Sequence, residues 1–369
     1  MTSPILTARS GLARRLYGPA GWLAILVAAL VAFVLFPVLN LAVPPESPFH
    51  ISAYWVTLIG KIMCYAMVAI AMDLIWGYAG ILSLGHGLFF ALGGYAMGMY
   101  LMRQIGRDGQ YQSDMPDFMV FLDWKEFPLA WWNSDQFWWC ALLVVAVPGL
   151  LAYAFGYFAF RSRVKGVYFS IITQALTYAA MLLFFRNNTG FGGNNGFTDF
   201  KRILGYTITT PETRMVLFAV TAAVLIGTLL LARGIVTSKL GRILTVIRDA
   251  EQRVMFCGYN PVHYKLFIWV VSAMICGLAG ALYVPQVGII NPGEMSPANS
   301  IEIAIWVAVG GRGTLVGAVL GAFLVNGGKS FLTQQFPEYW FYFLGLIFIL
   351  STLFLPNGVV GLVRSWRKK

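Results

Sequence analysis

Long apolar runs separated by short polar stretches set the organisation of this chain. The first run covers 20–43 and leads into a turn containing Pro44, Pro45 and Pro48. The second covers 53–76, after which GYAGILSLGHG at 77–87 interrupts the pattern before a third run continues to about Met102. Four more lie at 137–160, 166–185, 214–232 and 266–284. A short apolar piece, 298–309, meets GGRGT at 310–314, a second piece runs on to about Phe331, and the last run is 339–355. Several exceed the roughly eighteen residues that cross a bilayer. The pattern predicts an all-α polytopic integral membrane protein of about ten transmembrane helices, some broken at glycines. The first run is longer than the apolar part of a signal peptide and lacks a small-residue exit, so it reads as an uncleaved span. A basic segment 1–19 precedes the transmembrane domain 20–360, and a basic tail 361–369 follows it.

Two interruptions matter. Residues 298–309 reach only about 18 Å at about 1.5 Å per residue, too short for a hydrocarbon core about 30 Å thick. The glycines of GYAG and GGRG fall where one span gives way to the next. Non-helical backbone at membrane depth persists only where protein or water satisfies it. Such breaks either line a solute path or form plain tight turns, and both readings stand.

The polar stretches differ in kind. Residues 103–136 hold Asp108, Asp114, Asp117, Asp123, Glu126 and Asp135 against Arg103, Arg107 and Lys125, and read as a soluble insertion. Trp124, Trp131, Trp132, Trp138 and Trp139 crowd its end, which predicts an interfacial aromatic belt. Residues 238–265 are charge-rich, yet Leu240 to Met255 carries the spacing of a short amphipathic helix. Cys257-Gly258 ends that helix and Asn260-Pro261 turns into the next span.

Composition supports the membrane reading. A soluble domain is about 25% charged, whereas this chain is 11% charged and 59% hydrophobic, with a mean hydropathy of +0.72. The net charge of +11 does not point to nucleic acid, because the basic residues are scattered between spans without a recognition motif. They set orientation instead. An inside N-terminus puts seventeen Lys and Arg residues in the cytoplasm and seven outside, so both termini and the 238–265 stretch are expected to be cytoplasmic. The insertion 103–136 is then extracytoplasmic.

Catalytic chemistry is not indicated. Cys64, Cys140, Cys257 and Cys276 lack CxxC spacing and read as small buried hydrophobes, and His50, His86 and His263 form no cluster. No GxxxxGK[ST] loop occurs, so ATP is not handled by that route, and no Ser-His-Asp or zinc spacing occurs either. No directly bound cofactor is expected.

Three segments carry a resemblance. LTVIRDAEQRVMFCGYNPVHYKLFIWVVSAMICGLAGALY at 244–283, SIEIAIWVAVGGRGTLVGAVLGA at 300–322 and WGYAGILSLGHGLFF at 76–90 resemble permease subunits of the branched-chain amino acid and urea ABC importers. The resemblance covers roughly 55–360. SLGHGLFFALGGYAMGMYLM, the long insertion after it and NNTGFGGNNGFTDFK look most like the urea permease of the longer, M-like type. The resemblance implies a translocation path for urea or short amides, with a branched-chain amino acid permease as the alternative. It further implies a second homologous permease, two ATPase subunits, a periplasmic binding protein, and the bacterial inner membrane. The 238–265 loop would dock on the ATPase, with Arg248, Asp249, Glu251 and Arg253 fixing register and Gly258 ending the helix. A stand-alone carrier or channel is the rival from another class. It would need coupling carboxylates at the midplane, for which Glu302 is the one good candidate, and would have no use for the charged helix.

Candidates to line a path for a small polar solute are Ser83, His86, Asn194, Asn195, Gln286 and Glu302. A carboxylate well inside a helix costs roughly 2.5–3.5 kcal/mol, so Glu302 should face a cavity or a partner unless it sits at the outer interface. His86 reads better as a group hydrogen-bonded to a broken helix end than as a ligand. Asn194 and Asn195, flanked by Gly192, Gly193 and Gly196, read better as turn formers. Asp73, near the end of the second run, is expected to face water.

Overall fold

The computed structural model describes residues 16–354 and 358–366. Most of the 1–19 segment and part of the 361–369 tail lie outside these residues. Each apolar run forms a helix: α1 Pro19–Ala42, α2 Ala53–Tyr78, α3 His86–Arg103, α4 Phe137–Arg161, α5 Val167–Phe184 and α6 Pro211–Thr237. The charged stretch forms α7 Lys239–Phe256, followed by α8 Pro261–Val287, α9 Pro297–Gly310, α10 Leu315–Gln335, α11 Trp340–Phe354 and α12 Gly358–Trp366. Seven of these (α1, α2, α4, α5, α6, α8 and α10) are long and apolar enough to cross a membrane among the described residues. The sequence predicts about ten; seven meet that length and composition, and α3, α9 and α11 are shorter or less apolar. Helix ends reach past the apolar windows, as where α6 takes in Glu212 and Arg233. Hydropathy stops at a charge, but backbone hydrogen bonding continues through it.

The chain is not wholly helical outside the spans. Strand β1 (Phe197–Thr198) pairs antiparallel with β4 (Ile289–Ile290), and β2 (Arg202–Ile203) pairs with β3 (Tyr206–Thr207). The 104–136 segment folds down onto this region. Trp131 Nε1 donates to Gly190 O at 2.9 Å, Arg202 pairs with Asp108 at 2.6 Å, and the Phe118 ring stacks on Phe197. The expected tryptophan belt is thus split. Trp131 is buried in the folded insertion, while Trp132 and Trp138 are exposed.

Helix α8 runs through the middle of the bundle between α2, α3 and α4. Small residues set its spacing. A Cβ on Gly93 would land on the Gly277 backbone, and one on Gly280 would land on the Phe90 carbonyl. Close backbone approach of this kind is how membrane helices gain packing energy, because lipid offers no hydrophobic drive between them. On the α4 side, Pro148 lacks the N–H that would bond the Val144 carbonyl, and Gly277 packs beside that carbonyl. Helix α1 buries no residue and meets the bundle through a Phe36–Phe218 stack at 5.1 Å.

The break after α2 is satisfied by protein. Ser170 Oγ donates to Leu82 O at 2.7 Å, and Leu84 N donates to Thr173 Oγ1 at 3.1 Å, both from α5. Buried non-helical backbone is thereby paired, as the membrane interior demands.

Candidate functional site

The three signature segments meet at one place, the charged face of the protein where α2 ends. Asp73 Oδ1 accepts the Gly313 N–H at 2.7 Å, which holds the break between α9 and α10 against α2. Arg312 lies over the Trp76 ring, and Arg248 Nη1 donates to Gly77 O at 2.6 Å. Gly77 has no room for a side chain, since a Cβ would meet Asp73 and the Gly313 backbone. Asp73 is fully buried, so the expectation that it faces water is corrected. Its carboxylate serves as a connector between two broken segments.

Helix α7 is amphipathic as expected, burying Gly241, Leu244, Ile247 and Val254. It is not continuous. Ala250 takes φ −153° and ψ 62°, so two helical stretches meet at a kink that apolar periodicity alone does not reveal. Beyond the kink, Glu251 bonds Lys165 at 2.7 Å and Lys265 at 2.6 Å, joining the α4–α5 turn, α7 and the start of α8. Before it, Arg248 pairs with Asp249 through Nε at 2.8 Å as well as reaching Gly77. Arg248 and Glu251, read from the sequence as register charges, thus also tie α7 to the bundle, Arg248 while remaining exposed and Glu251 while partly buried. Arg253 and Asp249 remain exposed, and so does Gly258. Gly258 sits at φ +81°, with Tyr259 N donating to Val254 O at 3.3 Å and Gly258 N to Met255 O at 3.0 Å. These are the two bonds of a glycine-terminated helix, so this residue ends α7 as read from the sequence.

The outward side of α7 mixes these charges with apolar side chains. Phe256 is 91% exposed and Val246, Met255 and Tyr259 are about half exposed, and Val246 and Tyr259 line a groove with Arg242, Arg253 and Cys257.

The predicted path residues are not gathered together. Ser83 Oγ accepts from Gly85 N at 3.1 Å and stays within the break. His86 Nε2 lies 2.8 Å from Ser272 Oγ, which donates to Ala71 O at 2.8 Å, so the imidazole staples α2, α3 and α8. Asn194 and Asn195 are exposed in a 3₁₀ turn. Gln286 Nε2 donates to Thr221 Oγ1 at 2.6 Å and to Leu282 O at 3.0 Å, bridging α6 and α8. Glu302 lines a cavity that it shares with Tyr65, Phe90, Glu294, Trp306 and Lys329, and Gln286 lines a smaller one with Val56, Thr57, Arg214 and Leu217. Glu302 is buried and bonded to Lys329 Nζ at 2.8 and 3.0 Å, so its carboxylate has a protein partner. Lys61, Glu294 and Lys329 were absent from the predicted set. Lys61 and Lys329 carry a signal in the sequence, a cation inside an apolar run.

Residues 54–352 match the family described as the branched-chain amino acid transport system / permease component. The chain belongs to this family. The permease protein LivM of Escherichia coli, named for high-affinity branched-chain amino acid transport, is 23% identical over 358 residues, covering 90% of this chain and 76% of that protein. LivM of Salmonella typhimurium is 22% identical over 356 residues, with the same coverage of 90% and 76%. The similarly named BraD of Pseudomonas aeruginosa is 24% identical over 316 residues, covering 80% of this chain and 91% of its own. No solved structure matches. Family membership makes this permease a multi-pass transport component rather than an enzyme.

Proposed function

We propose that this permease is the membrane subunit of an ATP-driven importer, and that the outward face of α7 receives a separate ATPase. One observation carries the reading. Arg248 and Glu251 tie α7 to the bundle, while Val246, Met255 and Phe256 are left uncovered on a surface that also carries the exposed charges of Arg242, Asp249 and Arg253. A helix offered to a partner groove needs such apolar side chains for affinity and charges for register. The positive-inside bias puts this face in the cytoplasm, where ATP is. A second homologous permease, two ATPases and a periplasmic binding protein would complete the assembly in a bacterial inner membrane.

For the solute, the proposal is a branched-chain amino acid, on the printed names of the relatives. Urea or a short amide is the second reading. It is favoured by the small size of the inner cavity, about 30 Å³, and by its lining of two carboxylates, Glu294 and Glu302, and three aromatic rings, Tyr65, Phe90 and Trp306. The test is paired uptake in cells lacking this subunit. Loss of labelled leucine uptake at low concentration with urea uptake retained is the expected result. The reverse pattern replaces the amino acid with urea.

A further inference from the structure

Between α2 and α10 lies an open cleft of about 460 Å³, lined by Lys61, Tyr65, Asn326, Lys329 and Ser330 among others. Tyr65 and Lys329 also line the inner cavity, so the two spaces adjoin at this pair. Polar lining on two membrane-spanning helices is expensive unless it serves a solute or a partner. Lys61 and Lys329 are cations set inside α2 and α10, away from the helix ends.

These charges are not alike. Lys329 bonds both Glu302 oxygens, which gives that carboxylate a partner. The Lys61 ammonium lies over the Tyr65 and Tyr283 rings at 5.6 and 5.9 Å, with no carboxylate at ion-pair distance among the described residues. Glu294 accepts from Tyr283 OH at 3.1 Å through Oε1. A second, independent feature points inward. Trp306 lines the inner cavity, is 3% exposed, and its indole N–H has no partner. Buried indole donors ordinarily find an acceptor, so an orphan beside a cavity is a place for a ligand oxygen.

We propose that the α2–α10 cleft and its inner cavity form the solute-binding site of this permease. It takes a small molecule carrying an N–H donor group and a carbonyl or carboxylate oxygen. Lys61 and the Trp306 N–H receive the oxygen, Glu294 receives the N–H, and Tyr65, Tyr283 and Phe90 form the flat walls. The Glu302–Lys329 pair holds the charge of the wall balanced while the solute passes. This proposal rests on the solute-permease reading above, and both amino acids and urea share the required chemistry.

The experiment uses the whole assembly in proteoliposomes, with labelled leucine and labelled urea as probes. Lys61→Gln removes a charge from membrane depth and so relieves rather than strains the fold. It is expected to lower uptake of whichever probe the wild type carries by about tenfold or more, with Lys61→Arg recovering most of it. Pull-down of the ATPases should show the variant assembled as the wild type is. Glu294→Gln separates the two sources. An amide cannot balance an ammonium, so leucine uptake should fall by at least tenfold, whereas urea uptake should fall only a few-fold, because the amide carbonyl still accepts an N–H. The carried probe should also slow thiol modification of Lys61→Cys. Wild-type uptake left unchanged by both Lys61→Gln and Glu294→Gln overturns the site while leaving the importer reading intact. A wild-type assembly that carries neither probe overturns both.

Discussion

Replacing Gly280 with leucine is expected to lower the yield of folded protein in membranes by at least tenfold. A side chain at Gly280 would meet the Phe90 carbonyl and, at 2.9 Å, the Gly94 amide, both of them α3 backbone. A side chain in the way can turn aside, but backbone cannot, so α3 and α8 must separate. Overpacking in a close-packed interior costs about 1–3 kcal/mol, and more when the obstacle is rigid. The loss spreads, because α8 is the helix against which α2, α3 and α4 all pack. Gly227→Leu is the control. Nothing lies within 4 Å of a Cβ there, so its yield should equal wild type. Size-exclusion profiles of detergent-extracted protein measure both.

Glu251→Gln is expected to release α7 from the bundle. Its carboxylate is the shared partner of Lys165 and Lys265, and the Lys265 side chain is only 11% exposed. Removing one member of a buried pair leaves an uncompensated charge, at a cost of about 3–5 kcal/mol when burial is complete. Glu251 retains 21% exposure, which lowers the expected cost to about 2–3 kcal/mol. Hydrogen exchange across 244–254 should rise by ten- to a hundredfold and ATPase association should weaken, while α8 exchange stays unchanged. Lys265→Met added to Glu251→Gln should restore most of the protection, since no buried charge is then stranded. The pH dependence follows from the same pair. Burial alone would raise the Glu251 carboxyl, but hydrogen bonds from Lys165 and Lys265 outweigh it and hold it below its ordinary 4.5. A carboxyl held low in the folded state stabilises above its unfolded value and loses that contribution as pH falls through the folded one. The anchor therefore persists at neutral pH and should loosen only below about 4.5.

Much of the architecture is legible along the chain. A run of apolar residues has few ways to be satisfied in a bilayer, so all ten runs fall on helices and only their ends shift. The glycine breaks at 79–85 and 311–314 were legible as interruptions, but not the residues that repair them. Asp73 and Gly313 are 240 positions apart, and no local pattern brings them together. The same holds for Arg248, whose acceptor on Gly77 is 171 positions away. A charged helix looks alike in sequence whether its arginine faces solvent or another span. Glu302 stood out because a carboxylate inside an apolar run must find a partner, and it found Lys329. Glu294 gave no such signal. It sits in a polar turn, and its place beside Tyr283 depends on the chain returning through the β1–β4 pairing.

Cys257 offers the most direct test of the coupling face. It is exposed and lines the α7 groove, whereas Cys64, Cys140 and Cys276 are fully buried, so the wild-type chain carries a single accessible thiol among the described residues. A membrane-impermeant maleimide applied to inside-out vesicles should label Cys257, and intact cells with an opened outer membrane should show no labelling. Adding the purified ATPase subunits before the reagent should slow labelling by at least fivefold. Labelling from the outer face, or an inner-face rate that the ATPases leave unchanged, would contradict the account.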